Sequence, residues 1–260
     1  MLPVLLPFLA LIWGVHTWSV QHETEARRER DKRAALYGNP FLLACDELQS
    51  RLYNLLSDEM TFEILRSHYP EGEYAEETLY LIFQYFGWER HVFRYSPYSL
   101  DPDVIRLTAR VRDTFASSQE FPMGPFCFFR TEQRALGDSV IEQTSTEAGM
   151  TEETMPFFKF VGELKKAPLC EVRSVQEALE AIKTAPCGPE IVGGDRLAQV
   201  QKYLVELVNY LESNLGVHLR NFSREAMPPI GTIEATDNDA IVPVHDEATT
   251  DLVTTDTAKG

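Results

Sequence analysis

Between Leu2 and Val20 the chain carries no Asp, Glu, Lys or Arg, and no other feature constrains it as tightly. A helix over these positions rises about 1.5 Å per residue and nearly matches the roughly 30 Å hydrocarbon core of a bilayer. Leu, Ile, Val and Phe side chains at Leu2, Val4, Leu5, Leu6, Phe8, Leu9, Leu11, Ile12, Val15 and Val20 favour insertion. Pro3, Pro7, Gly14, His16, Thr17 and Ser19 work against it. A cleavable signal peptide would need a basic start and a small-residue exit site, and the sequence has neither. Residues 1–20 are therefore expected to form a single-pass transmembrane anchor with the lipid bilayer as partner. Trp13 and Trp18 suit an interfacial position, and Arg27, Arg28 and Arg30 follow on the same side. The basic cluster, which ends with Lys32 and Arg33, places the rest of the chain on the cytoplasmic side of the membrane.

Residues 21–38 read as a charged helical stalk, with Glu23/Arg27 and Glu29/Arg33 at i, i+4 spacing. Interleaved acids cancel most of the field that a basic segment would present to anionic lipid. Gly38-Asn39-Pro40 predicts a break and a restart, with Asn39 as N-cap and Pro40 in the first turn.

Residues 39–222 carry the helical periodicities of one soluble domain, an irregular all-α bundle. Phe41, Ala44, Cys45, Leu48, Leu52, Leu55 and Leu56 recur at three and four, with Glu47, Gln49 and Arg51 assigned to the opposite side. A second helix spans about 74–94, opens on acidic residues, and holds more aromatic side chains than one buried stripe needs. Val104, Leu107, Thr108, Val111 and Phe115 mark a third. Thr131 is placed as the cap of a helix carrying Leu136, Val140 and Ile141, and a short aromatic helix follows near 157–164. Ser174 and Glu177 match a capping box, and a long amphipathic helix begins at Asp195 and uses Leu197, Val200, Leu204, Leu207, Val208, Leu211 and Leu215. No turn signal marks a hairpin, so no sheet is expected. Residues 223–260, rich in Thr, Asp, Glu and Ala, lack periodicity and read as an acidic disordered tail.

A net charge of −16 argues against nucleic acid as a partner, because phosphate binding draws on clustered Lys and Arg. Cys45, Cys127, Cys170 and Cys187 are far apart without a CxxC pair, which suits reduced thiols rather than a disulfide framework. Six scattered histidines form no HExxH pair, so no metal or cofactor is expected, and no G-x-S-x-G elbow or Walker loop is present. The best polar cluster is Arg130, Glu132, Gln133 and Arg134, which opens a helix after the apolar run Phe126–Phe129. Two arginines one turn apart beside helix-terminal N–H groups suit a small anionic ligand; ordinary ion pairing within the domain is the simpler reading.

The segments at 36–42, 48–54, 77–80, 85–88 and 129–137 (the last reading Phe-Arg-Thr-Glu-Gln-Arg-Ala-Leu-Gly) resemble a family of single-pass membrane-anchored proteins with no assigned activity. The resemblance spans about residues 1–215, implies an anchor and a helical domain, and carries no catalytic residue. Two functions follow as expectations. One is a non-enzymatic interaction or scaffold module, with a protein partner, facing the cytoplasm. The other is an anion sensor or enzyme with its site between the aromatic helix 74–94 and the turn 130–134.

Overall fold

A computed structural model describes residues 5–57, 67, 69, 73–146, 149–184, 191–215, 217–220 and 224–226. The chain divides into two units, 1–230 and 231–260, and the second lies wholly outside the described residues. The first is mainly helical: α1 (Leu5–Arg33), α2 (Asn39–Leu56), α3 (Glu73–Tyr95), α4 (Pro102–Ala116), α5 (Arg130–Asp138), β1 (Ile141–Thr146), β2 (Gly149–Thr154), α6 (Phe157–Leu164), α7 (Arg173–Thr184) and α8 (Gly194–Leu215).

Every residue of α1 from His16 to Arg33 is exposed. Among the described residues no helix is long and apolar enough to cross a membrane. The span expected over residues 1–20 is thus not found among the described residues: residues 1–4 lie outside them, and α1, described from Leu5, turns polar from His16. The break expected at Gly38 is also absent. Ala34–Gly38 form a π-helical turn, and Gly38 and Asn39 keep helical backbone angles into α2. The wider turn accommodates Pro40, which lacks an N–H and would otherwise crowd the carbonyl one turn earlier.

The core is built on two long helices. α8 packs between α2 and α4, while α3 packs on α2, α5 and α7. Leu48, Leu52 and Leu55 of α2 and Leu204, Leu207 and Leu211 of α8 are fully buried, as their spacing requires. α2 is covered on more sides than its apolar stripe indicates, so Gln49 and Arg51 are buried rather than solvated. Asp46 is buried too, and it receives Arg224 Nε at 2.7 Å. The same Arg224 donates to Glu212 at 2.8 and 2.9 Å, so the first part of the segment read as a solvated tail is anchored in the domain.

Helix ends show how local chemistry is used. Asp101 Oδ1 accepts the N–H groups of Asp103 and Val104 and starts α4. Arg196, almost wholly buried, donates to the carbonyls of Thr114, Phe115 and Pro122 and so satisfies the end of α4. Gly193 enters α8 with φ +87, where a Cβ would also lie 3.0 Å from the Pro125 carbonyl. The capping box expected at Ser174 and Glu177 does not form; α7 starts at Arg173, and Ser174 Oγ donates to Glu132 at 3.0 Å.

One element departs from the all-α expectation. The helix carrying Leu136 ends at Asp138, and β1 pairs antiparallel with β2, Ile141 opposite Thr154 and Thr146 opposite Gly149. Thr144, Thr151 and Thr154 are β-branched, a shape that suits a pleated surface. The aromatic surplus of α3 holds the hairpin: Trp88 Nε1 donates to Thr154 Oγ1 at 2.9 Å, and the Tyr80 hydroxyl donates to the Met155 carbonyl at 2.6 Å.

Candidate functional site

Two glycines bring α3 and α5 into backbone contact. A Cβ on Gly137 would fall 2.6 Å from Gly87 N and 2.7 Å from Phe86 C, so only glycine allows this approach. The last turn of α5 then lies against the middle of α3, while its first turn reaches α4 through Arg130 and Gln133. Between them is a cleft of about 210 Å³, lined by Phe86, Glu89, Arg90 and Phe93 of α3, Arg112 of α4, and Arg130, Gln133 and Arg134 of α5. A volume of this size suits a small ion rather than a drug-sized ligand.

Four guanidinium groups meet three carboxylates around this cleft. Arg90 pairs with Asp138 and also donates to the Arg134 carbonyl at 3.4 Å. Arg130 Nη2 donates to Asp113 Oδ1 at 2.6 Å. Arg112 Nη1 donates to Glu89 Oε1 at 3.3 Å, while its buried Nε makes no hydrogen bond and lies 3.8 Å from Asp113. Arg134 is exposed and makes no side-chain hydrogen bond or ion pair among the described residues.

Glu89 is 6% exposed. Burial raises its pKa to about 7; Arg112, Arg134 and Arg130 oppose the shift, and Asp113 adds to it. A carboxyl group with its charge divided near neutral pH, enclosed by arginines, is the most perturbed acid of the cleft. Gln133 is 3% exposed, and its Nε2 donates to the Arg112 and Phe128 carbonyls at 2.9 and 2.8 Å. Its buried Oε1 has no partner.

Of the four residues singled out in the sequence, Arg130, Gln133 and Arg134 converge here. Glu132 does not line the cleft; its Oε2 accepts the Phe129 N–H at 2.8 Å and its Oε1 accepts from Ser174, so it caps α5 and ties it to α7. Thr131, read as the cap, lies inside the helix. Glu89, Arg90 and Arg112 were missed. Glu89 had a usable signal: it stands where the buried stripe Ile82, Phe86, Val92 calls for an apolar residue, and a charge there needs a reason.

The remaining sequence candidates stay apart from this cleft. Trp13 and Trp18 are 72% and 65% exposed, and Arg27, Arg28 and Arg30 are exposed along the same helix. Among the described residues no group of His, Cys, Asp and Glu is arranged to hold a metal ion. Cys45 and Cys127 are buried free thiols, and burial pushes the Cys45 thiol well up; Cys187 and Asn221-Phe222-Ser223, an N-x-S glycosylation acceptor by sequence, lie outside the described residues. A larger cleft of about 420 Å³ contains Arg51, whose charge is balanced by a carboxylate although its buried Nη1 makes no hydrogen bond. The guanidinium pairs with Glu77 and lies 5.2 and 4.5 Å from the ring centres of Tyr69 and Tyr74.

No family model, no curated protein and no solved structure matches this chain.

Proposed function

We propose that this chain is a binding module for a small anion, held in the arginine-lined cleft between α3 and α5. The observation that carries the reading is the pair of donors left without a hydrogen bond, the buried Nε of Arg112 and the guanidinium of Arg134, in a chain that is acidic overall. An anion supplies the acceptor that the buried Arg112 Nε lacks and a counter-charge for the exposed Arg134, and arginine forks match oxyanion geometry. Titration calorimetry of the full chain with chloride, acetate, sulfate and phosphate tests it. At least one oxyanion binds, and Arg134→Ala weakens it by about tenfold, the worth of one charge-assisted hydrogen bond. Absence of heat with every anion, or an unchanged affinity in Arg134→Ala, would refute the assignment.

A second element of the proposal is tethering at a membrane through the N-terminal helix, with the domain on the cytoplasmic side. The uncharged run Leu2–Val20, the exposed Trp13 and Trp18 and the basic residues after it support this reading. Asn221-Phe222-Ser223 is an N-x-S acceptor that only an exported domain exposes to glycosylation. In a eukaryotic host the chain should sediment with membranes and show no glycosidase-sensitive mass. A mass increase abolished by Asn221→Gln would place the domain on the other side.

A further inference from the structure

We propose that the cleft selects an oxyanion that still carries a hydroxyl hydrogen at neutral pH, inorganic phosphate being the simplest, with Glu89 as the acceptor of that hydrogen. This rests on the small-anion reading above and names the ligand class.

The cleft has donors, but it also presents acceptors that a fully deprotonated anion cannot satisfy. Glu89 lines it, and its Oε2 makes no hydrogen bond among the described residues, since Arg112 reaches only Oε1. Gln133 lines it as well, is 97% withdrawn from solvent by its 3% exposure, and leaves Oε1 unpartnered. An anion drawn in by Arg112 and Arg134 therefore meets a carboxylate and an amide oxygen. Acceptor facing acceptor is repulsive, and at the buried Gln133 Oε1 water does not relieve it.

A P–O–H group removes the conflict. Phosphate at pH values near 8 keeps one hydrogen and can direct it at Glu89 while its other oxygens accept from the arginines. Sulfate has nearly the same size, shape and charge and no hydrogen to give. Sites built to hydrogen-bond a hydroxyl reject the analogue that lacks it far more strongly than apolar pockets reject a missing methylene. Arg112, Arg130 and Arg134 favour the ionised form of Glu89, in which it accepts rather than donates. The charged and titratable groups around it are Cys45 of α2, Tyr85 and Arg90 of α3, Arg112 and Asp113 of α4, and Arg130 and Arg134 of α5. No proton is transferred in this step; the hydrogen is shared in a hydrogen bond and stays on the ligand.

Calorimetric titration of the full chain in detergent, at about pH 8 and constant ionic strength, compares potassium phosphate with potassium sulfate. Phosphate should bind at least roughly fiftyfold more tightly, and Glu89→Gln, whose amide can donate, should cut that ratio by about tenfold or more. The unmodified protein gives a second measurement with arsenate and selenate, a larger pair that differs in the same hydrogen. Arsenate should be preferred as phosphate is, which keeps the question open to test even if the variant does not fold. Equal affinities, a preference for sulfate or selenate, or a ratio unmoved by Glu89→Gln overturns the inference while leaving anion binding intact. Binding of none of the four anions overturns the small-anion reading and this inference with it.

Discussion

Replacing Gly137 by alanine tests whether the approach of α3 and α5 is as close as the cleft requires. The new Cβ would lie 2.6, 2.7 and 2.9 Å from Gly87 N, Phe86 C and Phe86 O, against 3.4 Å or more in ordinary contact. All three obstacles are backbone atoms of α3, so no side chain can rotate away and the helices must separate by about 0.8 Å. Overpacking of this kind costs about 1 to 3 kcal/mol, and a rigid obstacle belongs at the upper end. Alanine recovers up to about 1 kcal/mol from its better helix propensity, so the net loss is about 2 kcal/mol. For a domain of this size that lowers Tm by about 4 to 8 °C in thermal unfolding followed by circular dichroism. Gly162→Ala in α6 is the internal control, because nothing lies within 4 Å of its added Cβ; it should stabilise by about 0.5 to 1 kcal/mol. If Gly137→Ala is as stable as the parent, or shifts in the same direction as Gly162→Ala, the helices do not meet through backbone and the geometry of the cleft is wrong.

Leu52→Ala in α2 and Leu207→Ala in α8, both at fully buried positions, should each cost about 2 to 5 kcal/mol in urea titration. Losses below about 0.5 kcal/mol at both would mean that the faces packed between α2 and α8 are misassigned. Glu89 gives stability a pH signature with a definite sign. Its folded pKa of about 7 lies above its ordinary 4.5, so between these values the folded state binds more protons than the unfolded chain. Its contribution is greatest below about pH 4.5, falls as pH rises through about 7, and is level beyond, a total of about 3 kcal/mol. Glu89→Gln should therefore gain on the parent progressively across that window. A stability difference independent of pH would show that this carboxyl is not desolvated.

Periodicity by itself determined the helices and most of their buried faces. Leu48, Leu52 and Leu55, or Leu204, Leu207 and Leu211, have only one way to leave water together, on one side of a 3.6-residue helix. The same local reasoning found Arg130, Gln133 and Arg134, since neighbours one turn apart must share a face. What lay beyond it depended on partners distant in the chain. Gln49 and Arg51 are buried because α2 is enclosed by α3 and α8, and the Arg224 side chain is withdrawn from solvent because Asp46 and Glu212, 178 and 12 residues away, converge on it. The hairpin 141–154 had weak local signals and is held by Tyr80 and Trp88 of α3. Its strand conformation is decided by what it packs against, which is where sheet preference is always weakest as a local property. Glu89, Arg90 and Arg112 joined the cleft only when Gly87 and Gly137 let two helices touch. A residue without a side chain announces flexibility in a sequence, whereas close approach exists only once a second backbone occupies the space that it leaves.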